Sequence, residues 1–189
     1  MAIGYSLVMG LGVLGGLALG RFRVLDECLG SVAVAFHAIP GAAWVPLAML
    51  WFGATEQAVI VTILLGATGI VIVETNAGIR HVPPLLVRAA RTMGARGIKF
   101  FWYVVVPAAI PQIVNGLRLA WAFGWRALMA GELITAVPGL GQLLSGVAKV
   151  GRLDALVALM LLMAVIGMAV DGLIFQQLEQ RVRLRWGLA

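Results

Sequence analysis

Residues 88–107 read Arg-Ala-Ala-Arg-Thr-Met-Gly-Ala-Arg-Gly-Ile-Lys-Phe-Phe-Trp-Tyr-Val-Val-Val-Pro. The segment holds Arg88, Arg91, Arg96 and Lys99 with no acid, and long apolar stretches flank it on both sides. Its basic part is too polar to cross a bilayer and too short to fold alone. Gly94 and Gly97 permit a turn within it, so short helices lying at a membrane surface are expected. The rest of the chain agrees with a membrane setting. It is 189 residues long, 62% hydrophobic and only 12% charged, with a mean hydropathy of +1.02. A soluble domain is nearer half apolar, with about a quarter of its residues charged. A chain of this length cannot hide so much apolar surface in a soluble core, so its solvent is lipid.

Outward from the basic loop, five spans are expected. Residues 2–20 carry no charged side chain and end at Arg21 and Arg23. A signal peptide places its charge before the apolar run, so this segment reads as a retained helix. Gly12, Gly16 and Gly20 recur every four residues, a spacing that lets another helix approach closely. The same run contains Gly10-x-Gly12-x-x-Gly15, but no strand precedes it, so packing rather than dinucleotide binding is expected. The second span, 29–53, should be kinked or broken by Pro40 and Pro46. The third covers 57–78 and closes near Glu74-Thr75-Asn76. The fourth, 107–136, is opened by Pro107 and Pro111. Pro138-Gly139-Leu140-Gly141 is a turn signal, and Ser145, Gly146, Lys149 and Gly151 should keep the segment broken up to Asp154. The fifth covers 154–178, before a tail with Arg181, Arg183, Arg185 and Trp186.

The expected fold is therefore an all-α, polytopic integral membrane helical bundle, one domain over 1–189, with a surface loop at 79–106. The basic stretches 21–23, 79–99 and 181–185 fall on one side if the spans alternate. The opposite loops hold only Lys149 and Arg152. Basic loops stay in the cytoplasm, which puts the N-terminus outside and the C-terminus inside. The net charge of +6 reports this sidedness rather than nucleic-acid binding, because the cations form no solvated face.

The chemistry is sparse. The single Cys28 excludes an internal disulfide and reads as a buried or interfacial thiol. His37 and His81 lie far apart and read as packing or interfacial residues, and no His/Cys/Asp/Glu cluster has metal-ligand spacing. No Gly-x-x-x-x-Gly-Lys-[Ser/Thr] loop is present to cradle ATP. Enzymatic activity is not expected. Arg118, Arg126, Glu132 and Asp171 interrupt apolar spans, where each ionised group costs at least about 2.5–3.5 kcal/mol. Arg118, about 16 Å along a helix begun at Pro107, could snorkel. Arg126 and Glu132 leave two readings open. With Trp125 they could line a solute path, Arg126 attracting an anion and Glu132 shaping an outer gate. They could instead form an ion pair that fixes helix packing.

Residues 88–107 also resemble the signature loop of the permease subunits of binding-protein-dependent ABC importers. That loop runs Glu-Ala-Ala, three residues, Gly, nine residues, Ile-x-Leu-Pro. Ala89, Ala90, Gly94 and Pro107 fall in register, Val104 and Val106 take the Ile and Leu places, and Arg88 replaces the usual Glu. Ile39-Pro40-Gly41-Ala42-Ala43-Trp44-Val45-Pro46-Leu47, Gly116-Leu117-Arg118-Leu119-Ala120, Gly131-Glu132-Leu133-Ile134 and Gly139-Leu140-Gly141 resemble the nitrate, sulfonate, taurine and bicarbonate branch. The resemblance implies an importer of a small anion in a bacterial or archaeal cytoplasmic (inner) membrane. It implies that Arg88, Ala89, Ala90, Gly94 and Pro107 belong to a loop that docks on a separate ATPase, which holds ATP and magnesium. It also implies an extracytoplasmic solute-binding protein and a second permease copy. Members usually carry one more N-terminal span, so this chain is expected to begin at their second. A non-transporting membrane scaffold and a permease of another importer branch are the alternatives.

Overall fold

A computed structural model describes residues 1–185; Trp186 of the basic tail lies outside the described residues, as do the side chains of Arg183 and Arg185. Among the described residues every regular element is helical. Four helical stretches are long and apolar enough to cross a membrane: Ala2–Arg21, Glu56–Arg80, Gly97–Thr135 and Leu153–Val182. A fifth crossing is available if one bent pair counts as a span. It joins α2 (Arg23–Ala38) to the Gly41–Phe52 segment through a 92° bend. Pro40 stands at the break. A residue before proline is pushed out of the helical region, and Ile39 is extended there at ψ 124°. Pro46 lies in the first turn of α3 (Trp44–Phe52), where its missing N–H costs little.

Helix α4 (Glu56–Arg80) is the axis of the bundle and the most buried of the long helices. It packs mainly on α1 (Ala2–Arg21) and α7 (Val106–Thr135). Lipid gives helices no hydrophobic reason to associate, so close packing through small residues matters. Gly12, Gly16 and Gly20 of α1 face Val71, Thr75 and Ile79 of α4 in turn. A Cβ at Gly12 would sit 2.5 Å from Val71 Cβ, and one at Gly16 would sit 2.8 Å from the Ile72 carbonyl oxygen. This chain's own α4 thus fills the glycine face. Gly16→Leu should force α1 off α4 and cost about 1–3 kcal/mol, seen as a lower unfolding temperature in detergent. Gly10→Ala, with nothing within 4 Å of its new methyl, should leave that temperature unchanged; equal losses in both variants would refute the close-packing account.

The third span, expected over 57–78, is α4 (Glu56–Arg80), and its polar Glu74 and Asn76 are satisfied by neighbours. Gln112 and Asn115 of α7 donate to the Glu74 carboxylate. Asn76 donates to Asp26 of α2 at 2.5 Å, and Arg80 pairs with Asp26 at 2.7 Å. Two segments differ from the expectation from sequence. The long helix that ends at Thr135 begins at Gly97, ten positions before Pro107. A π-helical turn over Phe101–Val105 makes this possible: Val106 N–H reaches back to the Phe101 carbonyl, and proline follows where the helical ladder is already shifted. Lastly, the segment after the Pro138-Gly139 turn is helical, not broken. Helix α8 (Leu140–Val150) is capped by Glu132, whose carboxylate accepts the Gly141 N–H at 2.8 Å. Gly151, at φ +74°, ends it.

Cys28 is exposed, because α2 buries none of its residues. His37 meets the Phe123 ring edge-on at 5.1 Å, and His81 contacts the Ala77 carbonyl one turn back. No group of three or more metal-ligating residues is found among the described residues.

Candidate functional site

The basic loop folds as α5 (Pro84–Thr92) followed by a short α6 (Gly97–Phe100). Pro84 opens α5 at its first position, where no backbone donor is lost. The end of α5 is a two-bond glycine stop. Ala95 N–H reaches the Ala90 carbonyl at 3.0 Å, and Gly94 N–H reaches the Arg91 carbonyl at 3.1 Å. Gly94 sits between them at φ +83°, the left-handed conformation that this stop requires and that glycine adopts without penalty. A side chain added at Gly94 would meet nothing within 4 Å.

Only one side of α5 faces its own chain. Ala90 is buried, and Val87 packs on the cluster of Ile79, Val82, Phe101, Val105 and Ala109. Arg88, Ala89, Arg91 and Met93 are exposed. The structure therefore brings Arg88, Ala89, Ala90 and Gly94 onto one surface helix and its end. Pro107 stands elsewhere, on the long helix about 15 Å beyond Gly97.

Trp125, Arg126 and Glu132 all lie on α7, but they do not converge. Trp125 stacks on Trp121 at 5.8 Å and covers Gly167 of α9 (Leu153–Val170). Arg126 is exposed, hydrogen-bonded to the Ala122 carbonyl at 3.1 Å and lying over the Phe123 ring. Glu132 is turned to the start of α8. Arg126 and Glu132 therefore form no ion pair with each other.

An ion-paired cluster within the apolar spans centres instead on Arg118. Its guanidinium holds Asp171 through two bonds of 2.7 and 2.6 Å and Glu179 through one of 2.8 Å. Asp171 begins a π-helical turn (Asp171–Phe175) and Glu179 lies on α10 (Gln176–Arg185), so a three-residue cluster ties α7 to the last helix. Arg118 and Asp171 each stood out in the sequence as misfits in apolar spans. Nothing in the linear pattern paired residues 53 positions apart. Nearby, Tyr5 of α1 donates to the Leu117 carbonyl at 2.6 Å and contacts Trp121 and Phe175 edge-on, so α1, α7 and the last helix meet at one aromatic cluster.

The profile of the family described as "binding-protein-dependent transport system inner membrane component" matches residues 9–184. A putative ABC transporter permease of Methanocaldococcus jannaschii is 32% identical over 169 residues, which is 89% of this chain and 63% of the relative. A putative aliphatic sulfonates transport permease of Escherichia coli is 34% identical over 167 residues, 88% of this chain and 61% of the relative. The chain thus spans about three-fifths of the length of the curated relatives it matches. Among solved structures, a chain of the MetNI methionine ABC transporter in an inward-facing conformation superposes with a TM-score of 0.75 at 19% identity. The match covers 95% of this chain and 91% of that one and shows a shared fold.

Proposed function

The chain belongs to the family of binding-protein-dependent transport system inner membrane components, and on that premise we propose that it is the membrane-spanning permease subunit of an ATP-driven importer. The observation that carries this reading is α5, an exposed helix with a glycine stop at one end of an apolar bundle. A separate motor needs a rigid handle on the membrane part, and α5 is attached through Val87 and Ala90 while its remaining surface is open. The ATPase subunit holds ATP and magnesium, and its closure moves α5 and the long helix joined to it. This chain moves solute and performs no covalent chemistry.

An extracytoplasmic solute-binding protein delivers the solute, and a second copy of this chain, arranged with two-fold symmetry, completes the path. The solute is a small anion. The sulfonate permease among the relatives supports that class, as does Arg126, a cation exposed on a membrane-spanning helix. Glu132, by holding α8 to the end of α7, sets the shape of the outer mouth. The host membrane is the bacterial or archaeal cytoplasmic (inner) membrane, with the C-terminus inside. Support for the orientation comes from charge at the two ends of the bundle. Arg21 and Arg80 border one hollow with Gly97 and Phe100, whereas Glu56 and Glu132 border another with Met1 and Pro138. Basic ends stay inside.

Reconstitution tests both parts of the reading. Proteoliposomes holding this chain and its co-purifying ATPase should hydrolyse ATP faster when an anion-loaded binding protein is added, and should take up that anion. In a Cys28→Ser background, Lys149→Cys should react with an impermeant thiol reagent from outside and Arg91→Cys should not. ATPase activity indifferent to every loaded binding protein would sink the importer reading, and a reversed labelling pattern would sink the orientation.

A further inference from the structure

The exposed half of α5 is divided lengthwise. Leu85, Ala89 and Met93 recur at four-residue spacing and form an apolar stripe; Leu85 is 79% exposed and Met93 81% exposed, with the small Ala89 as a notch between them. Beside the stripe lie the cations. Arg88, Arg91, Arg96 and Lys99 are all exposed, and no acidic residue occurs between Glu74 and Glu132. None of the four forms an ion pair among the described residues, although ion pairs do form elsewhere in the chain, at Asp26, Asp154 and Asp171. Next to them is a hollow of about 380 Å³, lined by Arg91, Ala95, Arg96, Gly97 and Phe100. Arg91 leans over the Phe100 ring at 6.0 Å. The hollow therefore has two guanidinium walls and an aromatic floor, with no carboxylate among its lining residues.

We infer that the partner seated on this surface is a soluble protein whose groove combines an apolar wall with carboxylates, one of which enters the Arg91–Arg96 hollow. The inference rests on the permease reading and names the chemistry of the ATPase face that α5 meets. Guanidinium groups favour planar carboxylates because both ends match in hydrogen-bond geometry. A notch at Ala89 between two long side chains accepts a fixed protruding group, whereas fluid acyl chains gain nothing from such a shape. Electrostatic complementarity of this kind sets partner choice and association rate.

The test uses the full chain in nanodiscs of phosphatidylcholine, which carry no net charge, and the purified ATPase subunit that co-elutes with the wild-type chain. Affinity should fall as salt is raised. The double variant Arg91→Glu/Arg96→Glu should weaken binding by about tenfold or more, with unchanged yield and unfolding temperature, since both side chains are exposed. Replacing the facing partner carboxylate by lysine should restore binding to that double variant. Salt-insensitive binding, or full affinity in the double variant, would overturn the acidic-groove inference while leaving the permease reading intact. A wild-type chain that binds no ATPase would overturn both. Nanodiscs containing phosphatidylglycerol supply the remaining arm: if anionic lipid alone shields Arg91→Cys, in the Cys28→Ser background, from reagent, the basic face belongs to the membrane surface and the inference fails.

Discussion

Gly94→Asp should abolish solute uptake in proteoliposomes and weaken ATPase association at least about tenfold, while the amount of chain in the membrane should stay at the wild-type level. Two effects add. Gly94 holds φ +83° at the stop of α5, and a residue with a Cβ adopts that conformation only at roughly 1 kcal/mol or more. The new carboxylate would also enter open space, since nothing within 4 Å meets a Cβ there, and on the proposed function that space is where the ATPase would sit. The long helices make no use of this turn, so insertion survives. Gly94→Ala separates the two effects, because it keeps most of the backbone strain without charge or bulk; it should fall between wild type and aspartate. Wild-type uptake with full ATPase binding in Gly94→Asp would mean that α5 is not the docking element.

The second large effect is structural. Arg118→Leu should reduce the folded yield severely and lower the unfolding temperature in detergent. Arg118 holds Asp171 and Glu179 at once, and its loss takes the guanidinium away from both carboxylates inside the membrane-spanning region. Breaking such a cluster by removing one partner costs about 3–5 kcal/mol, because the stranded charges must be desolvated or take up protons. The triple variant Arg118→Leu/Asp171→Asn/Glu179→Gln removes the charges together and should recover most of the loss. Arg118→Leu as stable as wild type would show that the cluster holds nothing together. Failure of the triple variant to recover would show that the hydrogen-bond geometry, not the charge balance, matters. Glu179 lies on α10 at the end of the last helix, so a weakened cluster should free that helix from α7 first.

Much of this molecule was legible along the chain because lipid imposes a local rule. Every backbone polar group must be satisfied within its own segment, so helices announce themselves by apolar length, as in Ala2–Arg21 and Leu153–Val182. Pro40 reported the break in the second crossing for an equally local reason, the steric restriction on Ile39. The glycine at the stop of α5 was legible too, since Gly94 follows a short basic helix in a register that few other residues could serve.

What depended on distance along the chain was not legible. The satisfaction of Glu74 within α4 depends on Gln112 and Asn115 of another helix, and the start of α8 depends on Glu132 of α7. The glycine face of α1 announced a close neighbour, but its identity as α4 emerged only from the packing of Val71, Thr75 and Ile79. Arg118 and Asp171 were each visible as an expensive charge, but their pairing was not, and Glu179 did not stand out at all, because a charge in an apolar run says that a partner exists and nothing about where it is. Composition and local sterics determined the helices and the surface loop; tertiary structure alone decided which polar group satisfies which, since that energy belongs to pairs brought together by the fold and not to either residue.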